Sequence, residues 1–422
     1  MLRKTLPFCL AIAGGASSTL WSQELKSPPI VSYGAAVQSL SDDAGTAVTS
    51  VKSATIPTSR SVTATPMVSQ PAPQPIIRQD AIAPAPSEPL LNPISVGPAL
   101  GENLKFGGWA QTGYHSQSTG MFNNRPDKVN LQQMWFYLQK EAARNPTWDW
   151  GFRTDLMYGT DAVKTQAFGN PAGTWDFQNG MDFGAYGWAI PQAYAELAKE
   201  SLSVKVGHFY TLVGYEVVTA PNNFFYSHAY TMFNSEPFTH TGALASYDVN
   251  DTTTLHGGWT LGWDTGFNQL NGGSSFHGGF IRKMQEDLTF TYMATAGDFG
   301  WRGAGYSHSA VFDKSLTENL NYVLQSDLLS TDSSGGNNSE VGINQYLLYT
   351  MSERLRAGTR VEWWKSDRTG TSLSTYSVTG GFNITPGDNL IIRPEVRYNW
   401  GSNLVGADME TPIFGIDAII TF

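Results

Sequence analysis

Charged residues in this chain recur at every second position, with apolar residues between them. Arg393, Glu395 and Arg397 alternate with Pro394, Val396 and Tyr398. Arg356, Arg360 and Glu362 alternate with Ala357, Thr359 and Val361. Arg153 and Asp155 lie on the opposite face to Trp150, Phe152, Leu156 and Tyr158. A period of two gathers the charge onto one side of an extended strand. The chemistry it serves is electrostatic: a charged wall facing water biases which solutes move along it. The expected wall residues are Arg153, Asp155, Glu196, Lys205, Arg356, Arg360, Glu362, Arg393, Glu395 and Arg397, together with Glu340. The arginines gather in 354–365 and 389–399. They would either set up a field across a lumen or pair with carboxylates on neighbouring strands; both outcomes stay open here.

A second group sits between strands. Residues 210–240 form a long connection rich in aromatics, among them Tyr210, Tyr215, Phe224, Phe225, Tyr226, Tyr230, Phe233 and Phe238. Most connections in compact folds are shorter than about 12–15 residues. Left in water, so much aromatic surface would be sticky. The expectation is that this loop folds inward as a constriction, with Glu216, Asn222, Asn223, Tyr226, His228 and Glu236 as its constriction residues. The connection 159–190 carries Asp161, Asp176 and Asp182, whose spacing matches no known calcium loop. No metal and no cofactor are assigned. The seven histidines include no HExxH spacing, and no Gly-x-Ser-x-Gly elbow occurs. Ser227-His228 is the juxtaposition worth checking, but no catalytic residue is assigned.

These residues need elements to hold them. The chain has 422 residues, 26 Lys plus Arg and 36 Asp plus Glu, for a net charge of −10. That balance lacks the basic blocks of a nucleic-acid binder. No apolar run is long enough for a transmembrane helix. Arg3, Lys4, the apolar stretch 6–16 and the small residues after it read as an export signal, residues 1–22. Cys9, the single cysteine, falls inside that signal, so the exported chain would carry none. Residues 23–100 hold most of the prolines and almost no aromatics, which reads as a disordered periplasmic spacer. Fifty of the 53 aromatics lie beyond residue 100, where the chain switches to short alternating segments.

Sixteen strands are expected, with 14 or 18 as neighbouring counts: 104–114, 131–140, 148–158, 191–198, 201–209, 241–248, 253–263, 275–284, 287–296, 306–315, 319–329, 340–350, 354–365, 373–384, 389–399 and 412–422. The gaps alternate in length. Those at 115–130, 159–190, 210–240, 264–274 and 330–339 are long. Those at 141–147, 199–200, 249–252, 285–286, 316–318, 351–353 and 385–388 are short and carry turn chemistry, as in Asn250-Asp251 and Pro386-Gly387-Asp388. The apolar faces begin or end in aromatics, as at Trp148, Tyr158, Tyr398 and Trp400. Long loops on one side, tight turns on the other and aromatic girdles predict an all-β fold, a transmembrane antiparallel up-and-down β-barrel over 101–422. The last strand closes on Phe422, a terminal aromatic suited to the barrel-assembly machinery.

The segments Gly107–Tyr114, Phe152–Ala162, Val206–Glu216, Ala220–Tyr230 and Pro237–Gly242 carry a resemblance. They are similar to the OmpL-like β-barrel porin family of Gram-negative outer membranes. The resemblance implies a barrel in outer-membrane lipid that passes small hydrophilic solutes without catalysis. His208 stands where the family pattern has a lysine, which bears on pore charge and not on fold. A homo-oligomer is left open; trimers suit 16-stranded porins by fold-level analogy. The alternative is a structural protein, adhesin or receptor with a plugged lumen and partner-binding loops. A soluble secreted β-sandwich or lectin is the third reading.

Overall fold

A strand whose one face is apolar and the other polar can bury neither face alone; closing the sheet into a ring gives each a separate solvent. The computed structural model describes residues 104–268, 272–333, 336–368, 370–403 and 406–422. The export signal (1–22) and the spacer (23–100) lie outside the described residues. The first strands are β1 (Leu104–His115), β2 (Asn130–Lys140), β3 (Asp149–Gly159), β4 (Gly187–Lys199) and β5 (Leu202–Tyr210). There follow β6 (Thr239–Asn250), β7 (Thr253–Thr260), β8 (Ser274–Gln285), β9 (Leu288–Asp298) and β10 (Ala304–Ser315). The last are β11 (Leu320–Ser333), β12 (Gly336–Ser352), β13 (Leu355–Arg368), β14 (Thr371–Gly387), β15 (Leu390–Gly401) and β16 (Pro412–Thr421). Each strand pairs with its sequence neighbours, and β1 pairs antiparallel with β16 to close the barrel.

The alternation sorts side chains as expected. Val361, Val396, Tyr398, Trp400, Phe414 and Ile420 are exposed on the outer face, while Arg360, Glu362, Arg393, Glu395 and Arg397 are buried on the inner one. Outer aromatics stack across strands, as in Tyr376–Trp400 at 5.6 Å and Phe290–Phe312 at 4.4 Å. None of the described helices is long and apolar enough to cross a membrane; the chain crosses with strands.

One expected loop is corrected. The segment 330–339 is not a long connection, because β11 runs to Ser333 and β12 starts at Gly336. Its polar residues are paired in the ladder, Thr331 opposite Asn338 and Asp332 opposite Asn337. Ser, Asn and Gly suggest a loop only where a strand must be apolar, and the part of a strand that projects beyond the lipid need not be. The wall is therefore uneven: β12 and β14 have 17 residues each, whereas β5 has 9 and β7 has 8.

Candidate solute pathway and the loop that crosses it

The inner wall of β13 and β15 carries three arginines that are almost completely buried: Arg360 at 0%, Arg397 at 0% and Arg393 at 2% exposure. An arginine can be dry only if its donors are satisfied. Arg393 grips Asp417 of β16 (Nε to Oδ1, 2.9 Å) and donates Nη1 to the carbonyls of Ala220 and Asn223, both at 2.8 Å. Arg360 Nε donates to Glu362 at 2.7 Å. Its Nη1 donates to Glu216 at 2.6 Å and to the Ser227 carbonyl at 2.7 Å. Arg397 Nη1 donates to the His228 carbonyl at 3.0 Å and pairs with Glu362 at 2.9 Å. Its guanidinium also lies 4.7 Å from the Tyr230 ring centroid.

The carboxylates complete the clasp from the acceptor side. Glu395 accepts from the backbone N–H groups of Tyr226 (2.9 Å) and Ser227 (3.1 Å). Glu362 accepts from Tyr230 N at 2.8 Å, and Glu216 from Ala229 N at 2.7 Å. Those two amides open a short helix, α1 (Tyr230–Asn234), whose first N–H groups have no partner within the helix. The wall thus holds the loop 211–238 through main-chain carbonyls and amides together.

The loop also reaches other sectors. Gln133 of β2 donates to the Val218 carbonyl (2.8 Å) and accepts from Ala220 N (3.1 Å), and Gln132 bonds the Tyr226 hydroxyl at 2.6 Å. Gln325 of β11 donates to Glu236 at 2.7 Å. β2 and β11 are close to half the circumference apart in the ring, so the loop is bonded to opposite sectors of the wall. Apolar contacts back this up. Phe225 packs with Val311, Val323, Tyr346 and Leu348 of β10–β12, and Val213 with Ile281 and Met293 of β8 and β9. Val218, Ala220, Ala229 and Met232 join Trp109, Trp135 and Met157 of β1–β3.

Inner-wall glycines make room for this. A Cβ on Gly358 of β13 would overlap the Phe224 ring, and one on Gly342 of β12 would overlap Thr231. A glycine inside a strand often marks close approach by another segment. That signal was present in the sequence, whereas the contributions of Gln132, Gln133, Gln325 and Asp417 carried no comparable mark.

The expected wall residues divide in two. Arg360, Glu362, Arg393, Glu395 and Arg397 lie behind the loop, dry and paired with it. Asp155 is also fully buried, held by Arg153 (2.7 Å) and the Trp135 indole (2.9 Å). Arg153, Glu196 and Lys205 are half-buried and Arg356 is exposed, all nearer the tight-turn rim. Glu196 sits opposite Lys205 across β4 and β5, and Lys205 lies 4.9 Å from the Tyr194 ring.

Within the loop, Glu216, Asn223, Tyr226, His228 and Glu236 are buried and Asn222 is half-buried. Asn223 bonds the loop to itself, through Val217 O (2.6 Å) and Val217 N (2.9 Å). Burial pushes the His228 imidazole down to about 4, so it is neutral near pH 7. Ser227 and His228 are both taken up in the clasp: Ser227 Oγ receives Arg360 Nη2 at 3.1 Å, and His228 Nε2 lies 3.2 Å from Val217 O.

The three carboxylates of the second connection bind separate groups: Asp161 takes Gln133, Asp176 the amides of Ala167 and Ile190, and Asp182 takes Gln166. His208 does not bear on pore charge. It shares a strand face with lipid-exposed Val206, bonds Thr241 at 2.8 Å and lies 6.0 Å from Trp175, away from Lys205.

Comparison with known proteins places this geometry. The in-vitro folded trimer form of OmpT, an outer membrane protein of Vibrio cholerae, superposes with a TM-score of 0.52 at 10% identity, over 76% of this chain and 99% of that one. Salmonella typhi OmpF in complex with daunomycin gives 0.53 at 11% identity, over 76% and 97%. The outer membrane channel DcaP of Acinetobacter baumannii gives 0.50 at 10%, over 76% and 97%. At such identities the likeness is one of fold. No curated protein matches the chain. The family model described as "Putative beta-barrel porin-2, OmpL-like" matches residues 103–422, and the chain belongs to that family of porins.

Proposed function

We propose that this porin is a narrow, weakly selective diffusion channel for small hydrophilic solutes, and that the loop 210–240 sets its limiting aperture. The observation that carries the reading is the loop's attachment to β2 on one side and β11–β15 on the other. A segment so held reduces the free cross-section at its level. Solutes entering from outside would then pass the loop before they meet Arg153, Glu196, Lys205 and Arg356 on the tight-turn side. The chain reaches the outer membrane of a Gram-negative-type bacterium after cleavage of its signal, and its last strand, ending in Phe422, is read by the assembly machinery. It acts as a channel and not as an enzyme, alone or as a homo-oligomer.

A second reading has a specific observation in its favour. The clasp residues are dry, and loop side chains pack on several wall sectors, which suits a closed plug whose outer loops bind a partner. One experiment separates the two. Purified protein in a planar bilayer gives stepwise conductance if it is a channel, and deletion of 218–236 raises the step size. Silence of the intact chain followed by large steps from the deletion variant identifies a plug. Equal steps from both remove the loop from the pathway.

A further inference from the structure

Two carboxylates meet where the loop ends against β11, and among the described residues no ion pair reaches either. Gln325 Nε2 donates one hydrogen to Glu236 Oε1 at 2.7 Å and the other to Asp327 Oδ2 at 2.6 Å. Glu236 is 6% exposed and Asp327 3%. A single amide bridging two buried carboxyl groups cannot neutralise both charges.

Two arginines that bind the loop are engaged with other carboxylates. Arg360 is bound to Glu216 and Glu362, and Arg302 to Glu340 at 2.7 Å and to the Asn234 carbonyl at 2.6 Å. Glu216, the remaining charged group facing Glu236, is an anion and adds repulsion. Its own partners are Arg360, Ala229 N and the Tyr346 hydroxyl of β12. Gly214 abuts the Glu236 carboxylate in the left-handed region at φ 94°, so the other foot of the loop rests on the same group.

From this geometry we propose that Glu236 and Asp327 form a proton-operated latch: a proton held by the pair keeps the foot of the loop on β11, and its loss frees the foot. The pair behaves as one site, because two carboxyl groups sharing a donor titrate together. Burial and the facing Asp327 push the Glu236 carboxyl up. A carboxyl that is easier to protonate when latched favours the latched state at low pH, and that preference is lost as pH rises through the latched value.

One other loop group titrates in the opposite sense. His228 is held down at about 4 when docked, so docking weakens as pH falls below the free value of 6.5. The loop is therefore held most firmly between an acid limb owned by His228 and an alkaline limb owned by the carboxyl pair. The conductance consequence rests on the loop being the limiting aperture; the motion itself does not.

The test uses two readouts on the full chain in lipid. Conductance is recorded from pH 5 to pH 9 for the wild type, Asp327→Asn and Glu236→Gln, each first shown to have the heat-modifiable mobility of a folded barrel. The wild type is expected to gain conductance severalfold on the alkaline side, and either amide variant to lose that gain. In a Cys9→Ser background, spin labels at Asn234→Cys and Leu328→Cys report the distance from loop to wall. The distance should lengthen at alkaline pH, and Asp327→Asn should hold it short. A distance that ignores pH, or that moves equally in the Asp327→Asn protein, overturns the latch. A pH-dependent distance without any conductance at any pH keeps the latch and rejects the aperture.

Discussion

Replacing Arg360 with alanine tests the clasp at its centre. The guanidinium binds two buried carboxylates, Glu216 and Glu362, and two oxygens of Ser227. Its removal strands Glu216 without a cation, while Glu362 keeps Arg397 at 2.9 Å. Breaking a buried ion pair by deleting one partner costs about 3–5 kcal/mol. The wall strand itself is unaffected, since β13 remains paired with β12 and β14 through its backbone. The loss should therefore fall on docking of the loop and raise its undocked population by roughly 10²- to several 10³-fold. Hydrogen exchange of peptides covering 211–238, in folded barrels, reads this directly. A double variant, Arg360→Met with Glu216→Gln, removes the stranded charge and should recover part of the protection. Exchange in Arg360→Ala equal to wild type would refute the clasp as the source of docking. A double variant no better protected than the single one would refute the stranded-carboxylate account of the cost.

Gly358→Val should displace Phe224, since even a Cβ overlaps its ring, and increase chymotryptic cleavage at Phe224 and Phe225 without unfolding the barrel. Val361→Lys puts a charge on the lipid face one residue from the tolerated Arg360, and should cost about 2–4 kcal/mol if the site lies near the bilayer midplane. Urea unfolding in vesicles measures it. His228→Asn should remove the acid weakening of the loop, worth up to about 3 kcal/mol between pH 6.5 and pH 4, and leave the alkaline limb intact. The pH profile of exchange in 211–238 separates the two limbs.

The barrel was legible because alternation is a local property. The face containing Arg393, Glu395 and Arg397 can be read from six consecutive residues, and the ring follows once every strand has two unlike faces. Strand ends were less legible where the wall rises above the lipid, as at 330–339, because there the apolar half of the pattern is no longer required. The loop's length and aromatics were legible, but its grip on the wall was not. Arg360, Arg393 and Arg397 hold carbonyl oxygens of Ser227, Ala220, Asn223 and His228, and every residue supplies such an oxygen, so no side chain at the receiving end marks the contact. The choice between a field and pairing, open from sequence, resolves toward pairing for these three arginines, with the loop as well as with neighbouring strands.

Gripping the main chain has a consequence for how this protein can change. The wall acts as a mould for a backbone path, and buried loop side chains such as Phe225 and Met232 fill it, while the half-buried ones are less constrained. If the loop is the aperture proposed above, substitutions at half-buried positions such as Asn222 alter what a solute meets while the arginines keep the path in place. On the proposed reading of the loop as the aperture, solute preference and loop position are inherited from different stretches of the gene. A designer could exchange the half-buried letters of the loop while leaving the mould untouched.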